Sequence, residues 1–180
     1  MQILAGVGAS AILGDFDSIA TTTLSTATAT ITFSSIPATY KHLQLRCSLQ
    51  SSTANNTDLQ IRMNSDTGAN YSRHSIRGDG ATALADAFSH ASQTLMWLDR
   101  VVCTTSQIFS GVVIDLLDYA NASKYKTMRG FGGADRNGAG LISFSSGSWQ
   151  NTAAITTLTF TLSSGNFTQY STIALYGIKG

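Results

Sequence analysis

Glutamate is missing from this 180-residue chain: all ten acidic residues are aspartates. Glu populates exposed helix faces whereas Asp favours turns and caps, so the absence argues against helix. Proline occurs once, at Pro37, and charged residues make up only 12% of the chain. A surface that poor in charge is either coated with Ser, Thr and Asn or partly covered by other subunits, and we favour the second. The net charge is +1, with eleven basic residues scattered among the ten acids. Phosphate binding needs clustered Lys and Arg, so no nucleic-acid partner is expected. The densest basic group, Lys124, Lys126 and Arg129, alternates with Tyr125 and Met128 like one face of a strand.

Cysteine occurs twice. Cys47 and Cys103 lie far apart in apolar, strand-like segments and read as buried free thiols rather than a disulfide. His42, His74 and His90 lack zinc-ligand spacing, and no metal or cofactor is expected. No long hydrophobic run occurs. The apolar stretch Met1–Gly14 has no basic residue before it and is too short to cross a bilayer, so no membrane partner is expected.

What is present is a hydrophobic share of 43%, enough for one domain with a packed core. Short alternating segments predict strands over 26–33, 42–50, 59–63, 71–77, 94–98, 108–119, 125–131, 141–144, 154–162 and 170–179. His42–Gln50 is the clearest, with Leu43, Leu45, Cys47 and Leu49 on one face. Arg136-Asn137-Gly138 carries the Asn-Gly signal of a tight hairpin. Ala81–Ala91 is expected to hold the only short helix. This spacing predicts an all-β protein, an antiparallel β-sandwich of jelly-roll type over residues 25–180. Residues 1–24 have no clean period and are expected to form an extended N-terminal arm on a neighbouring subunit. Its candidate contacts are Ile3, Leu4, Val7, Ile12, Leu13, Phe16 and Ile19.

Motifs with chemical meaning are weak. Asp66-Thr67-Gly68 matches the aspartic-protease tripeptide, but that chemistry needs two such loops with apolar flanks, and there is one copy without them. Asn64, Asp66, Gly68 and Asn70 alternate oxygen ligands as a calcium loop does, but the closing Glu is missing; a structural turn is the better account. Arg77-Gly78-Asp79, the integrin-type tripeptide, reads as a strand-end turn. Asp115 sits among Val112, Val113, Ile114, Leu116 and Leu117 and is expected to be buried with Arg100 or Arg129 as ion-pair partner, a structural role. Trp97, Trp149, Tyr71, Tyr119 and Tyr125 read as core or subunit contacts, with a sugar-binding groove as the alternative. No catalytic constellation assembles from these residues, so the protein is not expected to be an enzyme.

Four segments carry a family resemblance. They are Phe33–Arg46 (FSSIPATYKHLQLR), Ile61–Ser72 (IRMNSDTGANYS), Ile114–Thr127 (IDLLDYANASKYKT) and 164–179 (SGNFTQYSTIALYGIK). In them the chain resembles small structural virion proteins of tailed bacteriophages. The resemblance implies a β-sandwich that assembles with copies of itself on the phage particle, after synthesis in the host bacterial cytoplasm. It supplies no catalytic residue. Within that class the sequence favours a capsid decoration (cement) protein, a homotrimer bound to the phage major capsid protein through the arm. A tail-fibre or receptor-binding tip, in contact with tail proteins, is the alternative, and a carbohydrate-binding module is a third reading.

Overall fold

A computed structural model describes residues 15–53 and 56–180. Twelve strands form among them: β1 (Phe16–Thr23), β2 (Thr30–Phe33), β3 (His42–Leu49), β4 (Thr57–Met63), β5 (Tyr71–Gly78), β6 (Ala83–Gln93), β7 (Met96–Val102), β8 (Ser110–Leu117), β9 (Lys126–Asp135), β10 (Gly140–Trp149), β11 (Leu158–Leu162) and β12 (Thr172–Ile178). No helix occurs among the described residues. The strands pair antiparallel into two sheets, an eight-stranded one in the order β1-β12-β3-β8-β9-β10-β5-β6 and a four-stranded one in the order β2-β11-β4-β7. The division is eight and four, not the two equal sheets of a simple eight-stranded jelly roll.

Period-two alternation builds the core. Leu43, Leu45, Cys47 and Leu49 of β3 all point inward, as do Ile114 and Leu116 of β8 and Ile173 and Leu175 of β12. Leu59, Ile61 and Met63 of β4 and Leu158 and Phe160 of β11 meet them from the small sheet. Each such side chain contributes about 1.5–3 kcal/mol by leaving water. Two glycines let β7 approach closely. A Cβ on Gly130 would lie 2.4 Å from Leu98 Cδ2, and one on Gly147 would lie 2.1 Å from Met96 Sδ. The β7 side chains therefore seat in notches that only glycine leaves open.

Three expectations are corrected. Residues 83–93 form strand β6 on the edge of the large sheet, not a helix. Alanine's helix propensity yields to pairing with β5, where Ile76 faces Ala85 and Arg73 faces Phe88. Residues 16–23, assigned to the arm, are the edge strand β1, paired with β12 from Phe16↔Ile178 to Thr23↔Thr172. The sandwich thus begins before residue 25. Lys126 and Arg129 do not share one strand face: Arg129 points outward, whereas Lys126 is fully buried on the core side of β9, beside Met128. Its Nζ donates to the carbonyls of Asn121 (2.5 Å), Lys124 (2.9 Å) and Thr152 (2.9 Å). Burial pushes this ammonium below its ordinary pKa.

The hairpin signal holds. Asn137 and Gly138 take φ of 61° and 88°, and Arg136 N–H bonds the carbonyl of Ala139 at 2.6 Å. Both cysteines are buried and unpaired, and burial pushes the Cys47 thiol up to about 12.

Candidate functional site

The large sheet has one face on the core and one face outward. The outward face organises into three rows that run across the strands. The middle row is apolar: register places Ala85, Ile76, Phe144, Phe131 and Val113 side by side on β6, β5, β10, β9 and β8. Ile76, Phe144, Phe131 and Val113, with Ile142 beside them, are between 40% and 57% exposed. The rings of Phe131 and Phe144 lean on one another with centroids 5.3 Å apart. Five large apolar side chains contiguous on the outside of a weakly charged protein form a patch of the kind that marks an interaction site.

One flanking row is polar and internally satisfied. Gln44 Nε2 donates to Asp115 Oδ1 at 2.9 Å, and Arg129 Nε donates to Asp115 Oδ2 at 2.9 Å. Arg46 stands at the end of the apolar row, opposite Val113, and lies over the rings of Phe16 and Tyr176 at 5.3 and 5.9 Å. Its Nε donates to Gln44 Oε1 at 3.2 Å. The cations on this face are thus directed along the sheet.

The other flanking row is three glycines around Ile142. Gly78, Ile142, Gly133 and Gly111 line up across β5, β10, β9 and β8. They floor a trough of about 470 Å³, walled by Phe131 and Leu141. A Cβ on Gly111 would meet nothing within 4 Å, so internal packing gives no reason for glycine there. Glycine weakens a strand interior, and one not required by the fold marks a place where another chain can approach.

A second cluster lies on the inner side, under β5 and β6. Arg73 and Asp99 are buried, Arg77 and Asp86 partly so. Arg73 Nη1 lies 3.4 Å from Asp86 and donates to Ser75 Oγ at 3.1 Å. Arg77 pairs with Asp99 and lies 3.8 Å from Asp86; Ser75 also donates to Asp86. The Arg73 guanidinium sits over Phe88 and Trp97, at 4.7 and 5.1 Å from the ring centres. These groups bind β6 to β5 and β7, holding the end of the apolar row in place. The sequence signal was the alternation of Arg73, Ser75 and Arg77 along one strand, which puts all three on one face.

Of the residues singled out from sequence, Ile3, Leu4, Val7, Ile12 and Leu13 lie outside the described residues. Phe16 stacks on Tyr176 with centroids 4.7 Å apart, and Ile19 packs against the core, so both belong to the sandwich. Asp115 pairs with Arg129, as expected, but on the outer face and only half-buried. Arg100 is not its partner: this exposed residue gives its backbone N–H to Asp58 Oδ1 at 2.8 Å. Asp66 closes a turn, accepting from Gly68 N–H and Asn70 Nδ2, each at 2.8 Å. Asp79 likewise caps its own turn, accepting from the N–H groups of Ala81 and Thr82. Tyr71, Tyr119 and Trp149 are buried, Trp97 lies under Arg73, and Tyr125 is exposed; these five do not share a face.

No protein-family model and no curated protein matches the chain.

Proposed function

We propose that this protein is a structural component of a bacteriophage virion, a decoration protein that assembles with copies of itself on the capsid. The observation that supports this reading is the contiguous apolar outer face, Ile76, Phe144, Phe131, Val113 and Ile142, on a chain with so few charges. The resemblance of segments 33–46, 61–72, 114–127 and 164–179 to phage virion proteins supplies the particle. In this reading three copies associate about a symmetry axis. The apolar segment 1–14, which carries no charged residue, makes the contact to the major capsid protein. The role is structural rather than catalytic: the buried charges and turn aspartates are engaged in holding strands together.

Immunogold electron microscopy of purified virions, with antibody to this protein, tests the proposal. Gold scattered over the head is expected. Gold confined to the tail end would move the protein to a fibre or receptor-binding tip, and an unlabelled particle would overturn the virion reading. Deleting residues 1–14 should leave a folded sandwich that no longer binds the particle; retained binding would rule out that segment as the attachment.

A further inference from the structure

A sheet edge presents unpaired main-chain N–H and C=O groups, and soluble proteins blunt such edges with bulges, short strands, charges or proline. Three of the four edges here are blunted. Strand β1 is bulged between Ser18 and Ala20 and carries Asp17; β2 has only four residues; and β7 has Arg100 in the left-handed region at φ 50°. Strand β6 is different. Its ladder with β5 breaks only beyond Phe88; over Ala83–Phe88 the pairing is regular and there is no Pro, Lys or Arg. The one charge there, Asp86, is turned inward and paired with Arg73, and no other strand among the described residues covers the edge. Its outer face is Ala83, Ala85 and Ala87, small enough for a second strand to lie flush, and Leu84 and Phe88 on its inner face are exposed.

We propose that β6 pairs antiparallel with β6 of a second copy, across a two-fold axis at Ala85. Water can satisfy an open strand edge but leaves Leu84 and Phe88 exposed; a second copy of the same strand satisfies the edge in register, and charge fixes which register. Facing residues in an antiparallel pair lie on the same face, so the axis must pass through a residue rather than between two. Placed at Asp86 it would set the two carboxylates opposite each other. Placed at Leu84 it would set Asp86 opposite Thr82, whose N–H is held in the Asp79 turn. Placed at Ala87 it would draw in residues beyond Phe88, where β6 leaves its ladder with β5. At Ala85 the pairing sets Ala83 opposite Ala87, and Leu84 opposite an Asp86 whose charge Arg73 already holds. Two eight-stranded sheets become one of sixteen strands. The row from Val113 to Ala85 then runs on into the second copy as one apolar band. The contact goes beyond the virion reading and stands whether or not the protein is found on a particle; in a trimeric assembly it joins one trimer to the next.

Cysteine cross-linking of the full chain tests the register, because Cys47 and Cys103 are both buried. Facing Cα atoms across an antiparallel pair fall within disulfide reach. Ala85→Cys is expected to give a covalent dimer on a non-reducing gel under mild oxidation. Ala83→Cys or Ala87→Cys alone should give at least ~10-fold less, and the two mixed should restore the product. Ala85→Lys, which places two ammonium groups opposite each other, should halve the mass seen by sedimentation while leaving the β-sheet circular dichroism intact. Cross-linking of Ala85→Cys no better than that of a control cysteine at Ser146, or a mass unchanged by Ala85→Lys, would overturn the proposal.

Discussion

The indole Nε1 of Trp149 donates a hydrogen bond to Asp66 Oδ2 at 2.7 Å, tying the last residue of β10 to the turn that follows β4. Trp149 is buried against Tyr71, with ring centroids 6.4 Å apart, and the Tyr71 hydroxyl donates to the carbonyls of Met63 and Asp66. One carboxylate thus joins both sheets at the end away from the glycine trough. The Asp-Thr-Gly tripeptide owes its place here to a buried indole that needs an acceptor.

This contact makes stability depend on pH. Burial raises the Asp66 pKa, but hydrogen bonds from Trp149, Asn70 and Gly68 outweigh it and hold the carboxyl below its ordinary 3.8. A depressed folded pKa gives stability that is complete above the unfolded value and is lost as pH falls through the folded one. Asp66→Asn should therefore cost about 1–2 kcal/mol at neutral pH, the worth of charge-assisted bonds at a half-buried site. The gap from the unaltered protein should close as pH falls below 3.8. Urea denaturation across pH 2 to 7 measures it, and a gap independent of pH would contradict the assignment.

Lys126 predicts a larger loss. Its ammonium satisfies three carbonyls that have no other donor among the described residues, and it is fully buried. Lys126→Met keeps the stem and removes the donors, leaving the carbonyls of Asn121, Lys124 and Thr152 unpaired. A loss of about 2–4 kcal/mol is expected, read as a fall in the urea midpoint at unchanged slope. A loss below about 0.5 kcal/mol would mean that water replaces the ammonium.

Breaking the inner charge cluster should act on β6 first. Asp99→Asn leaves the Arg77 guanidinium half-compensated in a partly buried site, at a cost of about 2–4 kcal/mol. Because Arg77 also faces Asp86, amide exchange should speed up in β6 and β5 more than in β3 or β12. Uniform acceleration across the sheet would show that the cluster does not hold β6 in particular.

These features were legible in the sequence to different degrees, for physical reasons. Strand β3 was plain because it has a wet face and a dry face, so its leucines alternate with polar residues. Strand β6 was not, because it overhangs the small sheet. Neither of its faces is fully dry, and the pattern that remains, Ala on one side and Leu, Asp, Phe on the other, imitates a helix. Strand β1 was missed for a similar reason: Thr and Ser on an edge give no apolar rhythm. The apolar row was hidden by its surroundings. In Val112-Val113-Ile114 both faces of β8 are apolar, and period two cannot say which side meets the core. Asp115 looked buried for that reason and turned out to face outward.

The glycines separate what the fold needs from what an interface needs. Gly147→Ala would drive a methyl into Met96 Sδ, which the Ser72 carbonyl on the other side does not let it escape, and should cost about 1–3 kcal/mol. Gly111→Ala meets nothing within 4 Å and should leave the monomer as stable or up to about 1 kcal/mol more stable. Thermal melts of both variants decide the point.

The apolar row itself makes the last prediction. Phe131 and Phe144 contribute little to the monomer, since about half of each remains in water and their main contact is with each other. Replacing both with Thr keeps a strand-forming side chain at each position and removes the rings. The melting temperature of the monomer should hardly move, while self-association should weaken by on the order of 100-fold, the effect of losing one interface anchor pair. Sedimentation equilibrium over a range of protein concentrations reads the association directly. Gly111→Leu, which fills the trough and leaves both rings in place, should weaken it too if the trough receives part of a second copy. An association unchanged in both variants would put the assembly contacts elsewhere, and the exposed row would then need another occupant.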